Sequence, residues 1–288
     1  MKTLLILRHA KTQSDAPAGD HARELTERGH RNAAAMGAYI QNLIGTPDAI
    51  ITSDATRARQ TAEIVAGFLG FTAPLTTEPR IYAADPDTLL AVVRGIPEVR
   101  PGAILSIDTY RASTAEAALD AGAHLVNDVT ALSDPRMAGL VAERGCPIIL
   151  MHMLGEPKTM QKDPRYVDVV RGVRDFLAKR AERAARAGVA IGDIILDPGI
   201  GFGKTYEHNL ALLNRLDALV ELGFPVVVGA SRKSFLGKIV GSDSSKDRLF
   251  GTVATSVLAY ERGATLFRVH DIRANKEALA VAAAVGQA

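Results

Sequence analysis

The stretch DIILDPG (193–199) decides how this 288-residue chain is read. Three aliphatic residues run without a break and stop at an acid, a proline and a glycine. A strand that alternated apolar and polar residues would have one wet face; a continuous apolar run is buried on both faces, as in a parallel sheet covered by helices. The carboxylate of Asp197 is therefore delivered to the carboxyl end of a buried strand, the edge where α/β folds hold their ligands.

The same pattern recurs along the chain. LLILRH (4–9), DAIITSD (48–54), AILSID (103–108), HLVNDV (124–129), PIILMHM (147–153), PVVVGAS (225–231) and TLFRVHD (265–271) are apolar runs that end in polar residues. Between them lie Ala- and Leu-rich amphipathic stretches, among them 32–44, 57–69, 166–188 and 209–223, with an Ala-rich last helix in EALAVAAAV. Alternating strands and helices predict an α/β fold with a mostly parallel sheet. Eight such units in a chain of this length predict a closed (β/α)8 barrel of the TIM type, with an open doubly wound sheet as the alternative. The strand ends collect Arg8 and His9, Asp108, Asn127, His152, Asp197, Lys233, Arg268 and His270 on one face. GIPEVRPGA (95–103) carries two prolines and two glycines and reads as a loop or a junction.

Composition narrows the function classes. Formal net charge is +2 with mixed signs, which points to neither a nucleic-acid nor a membrane surface. No apolar run reaches the roughly 18 residues that span a bilayer, and MKTLLILRHAK is too short and too soon charged for a signal peptide. Cys146 is the lone cysteine, so no internal disulfide forms and a reducing cytoplasm is expected. Tryptophan is absent, leaving Ala, Val, Leu and Ile to build the core.

The glycine-rich DPGIGFGKT (197–205) is no phosphate loop. Pro198 stands where a P-loop needs its first glycine, and Lys204 stands at the third glycine of a dinucleotide fingerprint. The glycines instead permit close backbone approach, with Phe202 as a wall. His152 lies between Met151 and Met153 and reads as structural, with one methionine facing a pocket. Asp108 has two readings, a ligand group or a cap on the following helix; Asn127–Asp128 has a ligand reading and an Asx-turn reading.

Two sets of motifs carry resemblances. RHA (8–10), HARELTERGHRNAAAMG (21–37) and SDATRARQTAEIV (53–65) resemble the phosphohistidine-phosphatase branch of the histidine phosphatase superfamily, over about residues 1–98. That resemblance implies His9 as phosphoryl acceptor, with Arg8 and Arg57 holding the phosphate oxygens. It also requires a second histidine in a later turn, and none of His21, His30, His124, His152, His208 and His270 stands in one. LSIDTYRAS (105–113), LVNDVTAL (125–132), ILMHMLGEPKTMQ (149–161), ILDPGIGFGKT (195–205), GASRKSFLG (229–237) and FRVHDIR (267–273) resemble the dihydropteroate synthases, a pterin-binding family of TIM-barrel fold, over about residues 103–288.

The second resemblance implies condensation of a hydroxymethyl-dihydropterin pyrophosphate with p-aminobenzoate, in folate synthesis. It implies pterin contacts from Asp108, Asn127, Met151, Asp197, Phe202, Gly229, Lys233 and Arg268, and chemistry carried by Lys233, Arg268 and His270. Mg²⁺ and a homodimer follow from the same resemblance. The family's first two strands, which hold pyrophosphate and Mg²⁺, have no counterpart here. The chain reads as a chimera, with two βα units from residues 1–98 and six from 99–288 in one combined domain. Three functions stay open: a synthase-type transferase with low or absent turnover, a phosphohistidine phosphatase, and a non-catalytic pterin-binding scaffold.

Overall fold

The computed structural model describes residues 10–13, 17, 20–44, 46–47, 50–77, 90, 93–96, 101–155, 159–242 and 244–287. The expected strand 4–9, and with it Arg8 and His9, lies outside the described residues. The chain divides into two compact units, Met1–Ala103 and Ile104–Ala288, with a boundary just past the predicted junction at 95–103.

In the first unit, α1 (Glu27–Ile44) packs along α2 (Thr56–Phe68). Ile40, Val65 and Leu69 form its core, with Met36, Ile50 and Phe71 against them. The helices approach closely at Gly37, where a Cβ would lie 2.7 Å from the Phe68 Cβ. The expected strand 48–54 is observed as β1 (Ile51–Thr52), which pairs in parallel with β2 (Thr76–Thr77). β2 was not anticipated, because two exposed threonines give no apolar run. The segment after RHA is tied to the first helical region by a Thr12–Leu25 bridge. Thr61 Oγ1 accepts from the Ala10 amide at 3.1 Å. His21 Nε2 lies 3.0 Å from Asp54 Oδ1.

The second unit repeats strand and helix six times. β3 (Ser106–Asp108), β4 (Leu125–Asp128), β5 (Ile148–Met151) and β6 (Ile194–Asp197) form one parallel sheet in that order. A parallel bridge from Leu196 to Val226 carries the order on to β7 (Val227–Val228), which pairs in parallel with β8 (Leu266–Phe267). After β3 comes α3 (Ala112–Asp120), after β4 α4 (Met137–Arg144) and after β5 α5 (Val169–Arg186). The stretch 209–223, expected as one helix, is two: α6 (Tyr206–Asn214) and α7 (Asp217–Val220). Arg215 leaves the helical region at φ −112° and ψ 37°, yet Leu212, Leu216 and Leu219 are all buried, so the apolar spacing runs across the break. α8 (Ser234–Val240) and α9 (Leu249–Glu261) follow β7, and α10 (Ile272–Val285) follows β8.

Two-residue alternation along these strands sorts the side chains. Leu125, Ile149, Ile195 and Val227 meet on one face as an apolar cluster. Residues two further on, Asn127, Met151, Asp197 and Gly229, continue that same face at the carboxyl ends. Val126, Ile148, Leu150, Ile194, Leu196 and Val226 have no exposed surface and occupy the other face. The α/β architecture with parallel strands is as expected.

Candidate functional site

Register brings the strand-end polar groups together. Asp108 stands opposite Asn127 across β3–β4, and Met151 opposite Asp197 across β5–β6. Asn127 is buried, and its Nδ2 donates to Asp108 Oδ2 at 3.0 Å. Its Oδ1 is buried with no partner, a costly state that a donor from outside would relieve. Asp108 does not cap α3. The Ala112 amide at the start of that helix donates instead to Asp134 Oδ2 at 2.8 Å, which with the Arg136 amide holds the Asp134 carboxyl below its usual range.

Asp128 is one residue out of phase with Asn127 and serves the loop. Its carboxylate accepts from the Thr130 amide at 2.9 Å, the Thr130 hydroxyl at 2.8 Å and the Leu132 amide at 2.7 Å. These bonds hold Ala131 and Leu132 at φ 48° and 68°, a conformation that is strained for a side-chain-bearing residue. The Asx-turn reading therefore belongs to Asp128, while Asn127 faces Asp108 at the strand ends.

Asp197 is 1% exposed. Its Oδ1 accepts from the Gly199 amide at 2.7 Å and its Oδ2 from Arg268 Nη2 at 2.8 Å. Burial pushes its pKa up, against the opposing pull of Arg268, the Gly199 amide and Lys204. Two bonds leave each oxygen with accepting capacity. Arg268 leaves β8 and crosses Gly229, where a Cβ would lie 3.0 Å from its Nη2. Glycine at 229 therefore gives the guanidinium its path.

Lys233 precedes α8, and its Nζ sits 4.1 Å from the centre of the Phe202 ring, a cation–π contact. Burial lowers its pKa; Asp197 raises it and Arg268 adds to the lowering. Met151 has no exposed surface. His270 is exposed, with Nδ1 2.9 Å from Ser231 Oγ. In the first unit, Arg57 is half-buried in the first turn of α2.

The sequence reading gave Lys204 no role, yet it is 3% exposed. Its Nζ is 3.0 Å from His152 Nδ1, 3.1 Å from the Phe202 carbonyl and 3.4 Å from the His152 carbonyl. Burial lowers Lys204 to about 7, partly offset by Asp197, with Lys233 lowering it further. Burial and Lys204 together lower His152 to about 3. His152 also meets the Phe176 ring edge-on at 4.9 Å, in keeping with a structural role. The pair ties the glycine loop to the end of β5. Gly199 lies at φ 65°, where a Cβ would come within 1.9 Å of the His152 carbonyl oxygen. Asn209 Oδ1 accepts from the Gly201 amide at 2.7 Å, and the Tyr166 hydroxyl donates to the Gly203 carbonyl at 2.9 Å.

Among the described residues no group of three or more His, Cys, Asp or Glu stands ready to hold a metal ion. No helix among the described residues is long and apolar enough to cross a membrane.

The sequence and the fold find counterparts among known proteins. Residues 72–270 match the family model described as pterin binding enzyme. Residues 4–84 match the model for the histidine phosphatase superfamily, branch 1, so two family signatures share one chain and overlap at 72–84. A dihydropteroate synthase from Synechocystis is 46% identical over 182 residues, covering 63% of this chain and 63% of its own length. The Mycobacterium leprae enzyme is 44% identical over 220 residues, covering 73% and 77%. A Thermus thermophilus dihydropteroate synthase solved with 4-aminobenzoate has a TM-score of 0.64 at 47% identity, over 68% of this chain and 75% of that one. The Yersinia pestis enzyme in complex with a sulfonamide drug has a TM-score of 0.68 at 37% identity, over 72% and 74%. The chain thus spans somewhat under two thirds of the length of the Synechocystis and Escherichia coli relatives. With about two thirds of its residues matched to that model and the strand-end polar groups converging as described, the chain belongs to the pterin-binding enzyme family.

Proposed function

We propose that the second unit binds a reduced pterin, and that the chain is a dihydropteroate synthase-type transferase. It would condense hydroxymethyl-dihydropterin pyrophosphate with p-aminobenzoate and release pyrophosphate. The observation that carries this reading is the pairing of two buried acceptors on one face: the orphaned Asn127 Oδ1 and the Asp197 carboxylate. A flat heterocycle edge with an amino group and a ring N–H supplies matching donors. In this reading Asp197 takes two donors of the pterin, Asn127 and Asp108 read the remaining ring edge, and Lys233 donates to the ring carbonyl. Gly229, Met151 and Phe202 wall the ring. Arg268 stacks on the pterin and, with His270, holds the pyrophosphate. As the pterin CH₂–O bond breaks, the electron pair leaves with pyrophosphate; the aminobenzoate nitrogen forms the new C–N bond and loses a proton. Charge on the leaving oxygen is met by the Arg268 guanidinium and an imidazole N–H.

Around that site we place a (β/α)8 barrel in which the phosphatase-like residues 1–98 supply two βα units and residues 99–288 six. A homodimer is supported by exposed apolar residues on α9 and α10, with Phe250 83%, Val281 65% and Val285 71% exposed. The lone cysteine supports a cytoplasmic location. Arg8, His9 and Arg57 remain the proposed phosphate pocket of the phosphatase-like segment, a second reading favoured by the family match over 4–84.

The deciding experiment is pyrophosphate release from the hydroxymethyl-dihydropterin substrate, with and without p-aminobenzoate. Release that depends on p-aminobenzoate supports the transferase. Pterin binding without turnover supports the scaffold. Phosphate release lost in His9→Ala supports the phosphatase.

A further inference from the structure

β7 and β8 are neighbours in parallel register, so the loops leaving them run side by side. Two rungs join those loops. Ser231 Oγ, in a residue only 7% exposed, accepts from the His270 backbone amide at 3.2 Å and lies 2.9 Å from His270 Nδ1. One residue further on, Arg232 donates to both oxygens of Asp271, at 2.9 and 2.6 Å. Arg232 stands at φ 57°, a region that a side-chain-bearing residue occupies only when its surroundings hold it there. Its amide donates to Thr252 Oγ1 at 3.0 Å, and its carbonyl accepts from Arg248 Nη1 at 2.9 Å. Lys233 comes next along one loop, and Arg268 and His270 lie on the other.

The Ser231 hydroxyl has one proton to place. Its oxygen already accepts from the His270 amide, and Nδ1 is the acceptor within reach of its O–H. Were Nδ1 protonated instead, both hydrogens would converge on one oxygen and leave a buried hydroxyl proton without an acceptor. We propose that Ser231 is a positioning residue that holds the neutral His270 ring in its Nε2–H tautomer. The Arg232–Asp271 pair fixes the spacing of the two loops. The outward Nε2–H is then a fixed donor for an anionic phosphoryl group. Ser231, Arg232 and Asp271 act through His270 and touch no substrate. The identity of the anion as the pyrophosphate of the substrate rests on the transferase reading above.

The test uses the full chain labelled with ¹⁵N-histidine, read by NMR for the His270 tautomer and titrated with inorganic pyrophosphate. The unaltered protein is expected to show His270 protonated on Nε2. Ser231→Ala is expected to shift that ring to a mixture of tautomers and weaken pyrophosphate about tenfold, the loss of one oriented hydrogen bond. Affinity for a pterin without pyrophosphate stays within about twofold, because no ring contact is touched. Ser231→Thr, which keeps the hydroxyl, restores both readouts. Arg232→Ala and Asp271→Ala each weaken pyrophosphate by about fivefold, and the double variant is no weaker than either, as expected of one shared interaction. Protonation of His270 on Nδ1 in the unaltered protein, or an unchanged tautomer in Ser231→Ala, overturns the proposal. The expected tautomer with no pyrophosphate binding overturns the donor role. Neither result decides the transferase reading, which the pterin titration judges separately.

Discussion

Asp197→Asn separates recognition from folding. In the transferase reading the carboxylate accepts two pterin donors, and charge-assisted hydrogen bonds are worth roughly 1.5–3 kcal/mol each. Asp197 already shares its charge with Arg268 and the Gly199 amide, at 2.8 and 2.7 Å. The low end of the range therefore applies, about 3 kcal/mol in all, or a loss of about 100-fold in affinity. Asparagine also turns an NH₂ toward the pterin donors in place of one oxygen. Stability moves the other way. Burial raises the Asp197 pKa, so above the ordinary value of 3.8 the native state holds this proton more tightly than the unfolded one. Its contribution to stability falls as pH rises from there through the raised native pKa, and asparagine removes that loss. Arg268, with a side chain 44% exposed, is left facing water rather than buried alone. The expected outcome is a weaker pterin titration with a denaturation midpoint at neutral pH no lower than before. Pterin affinity within about threefold of the unaltered protein would refute the assignment of Asp197, since a single such bond is worth more than that.

Two further outcomes follow from the glycine loop. Lys204 has a native pKa of about 7 against an ordinary 10.5, so the native state binds fewer protons between those values and stability rises with pH across that window. His152, at about 3 against 6.5, gives a second rise between those values. Lys204→Met removes the alkaline rise, which urea midpoints measured from pH 6 to pH 10 would reveal; an unchanged profile would contradict the burial of Lys204. Gly199→Ala places a methyl where only 1.9 Å separates it from the His152 carbonyl oxygen, at φ 65°. A loss on the order of 4 kcal/mol in unfolding free energy is expected, and a denaturant midpoint equal to that of the unaltered protein would contradict the loop geometry.

The legible parts of this molecule are those where one physical demand fixes the residue type. β4, β5 and β6 lie inside the apolar runs read from the sequence, because strands covered on both faces admit little else. Asp197 is legible as the acid that ends a continuous apolar run, and Lys233 and Arg268 because charges that close apolar strands are costly unless used. Thr76–Thr77 carried no such signal: an exposed two-residue strand is set by its partner Ile51–Thr52 rather than by its own pattern. The break at Arg215 was hidden because Leu212, Leu216 and Leu219 keep helical spacing across it. Lys204 was read only as the residue that spoils a dinucleotide fingerprint. Its partner His152 sits 52 residues away, just past the end of β5, and no local pattern joins them. Its neighbourhood did hold a clue, since a lysine directly after three closely spaced glycines, Gly199, Gly201 and Gly203, lies where backbone packs tightly and water has little access. Asn127 and Asp128 look alike in sequence. Strand alternation separates them, one toward the site and one into the loop that it holds.

The central claim is that the second unit forms a working pterin pocket on a chain whose residues 4–84 match another family. A fluorescence titration of the full chain with a pterin ligand tests it most directly. Saturable binding with a Kd on the order of micromolar, about 8 kcal/mol, is the predicted result. A protein that unfolds cooperatively yet shows no saturable pterin binding would contradict it.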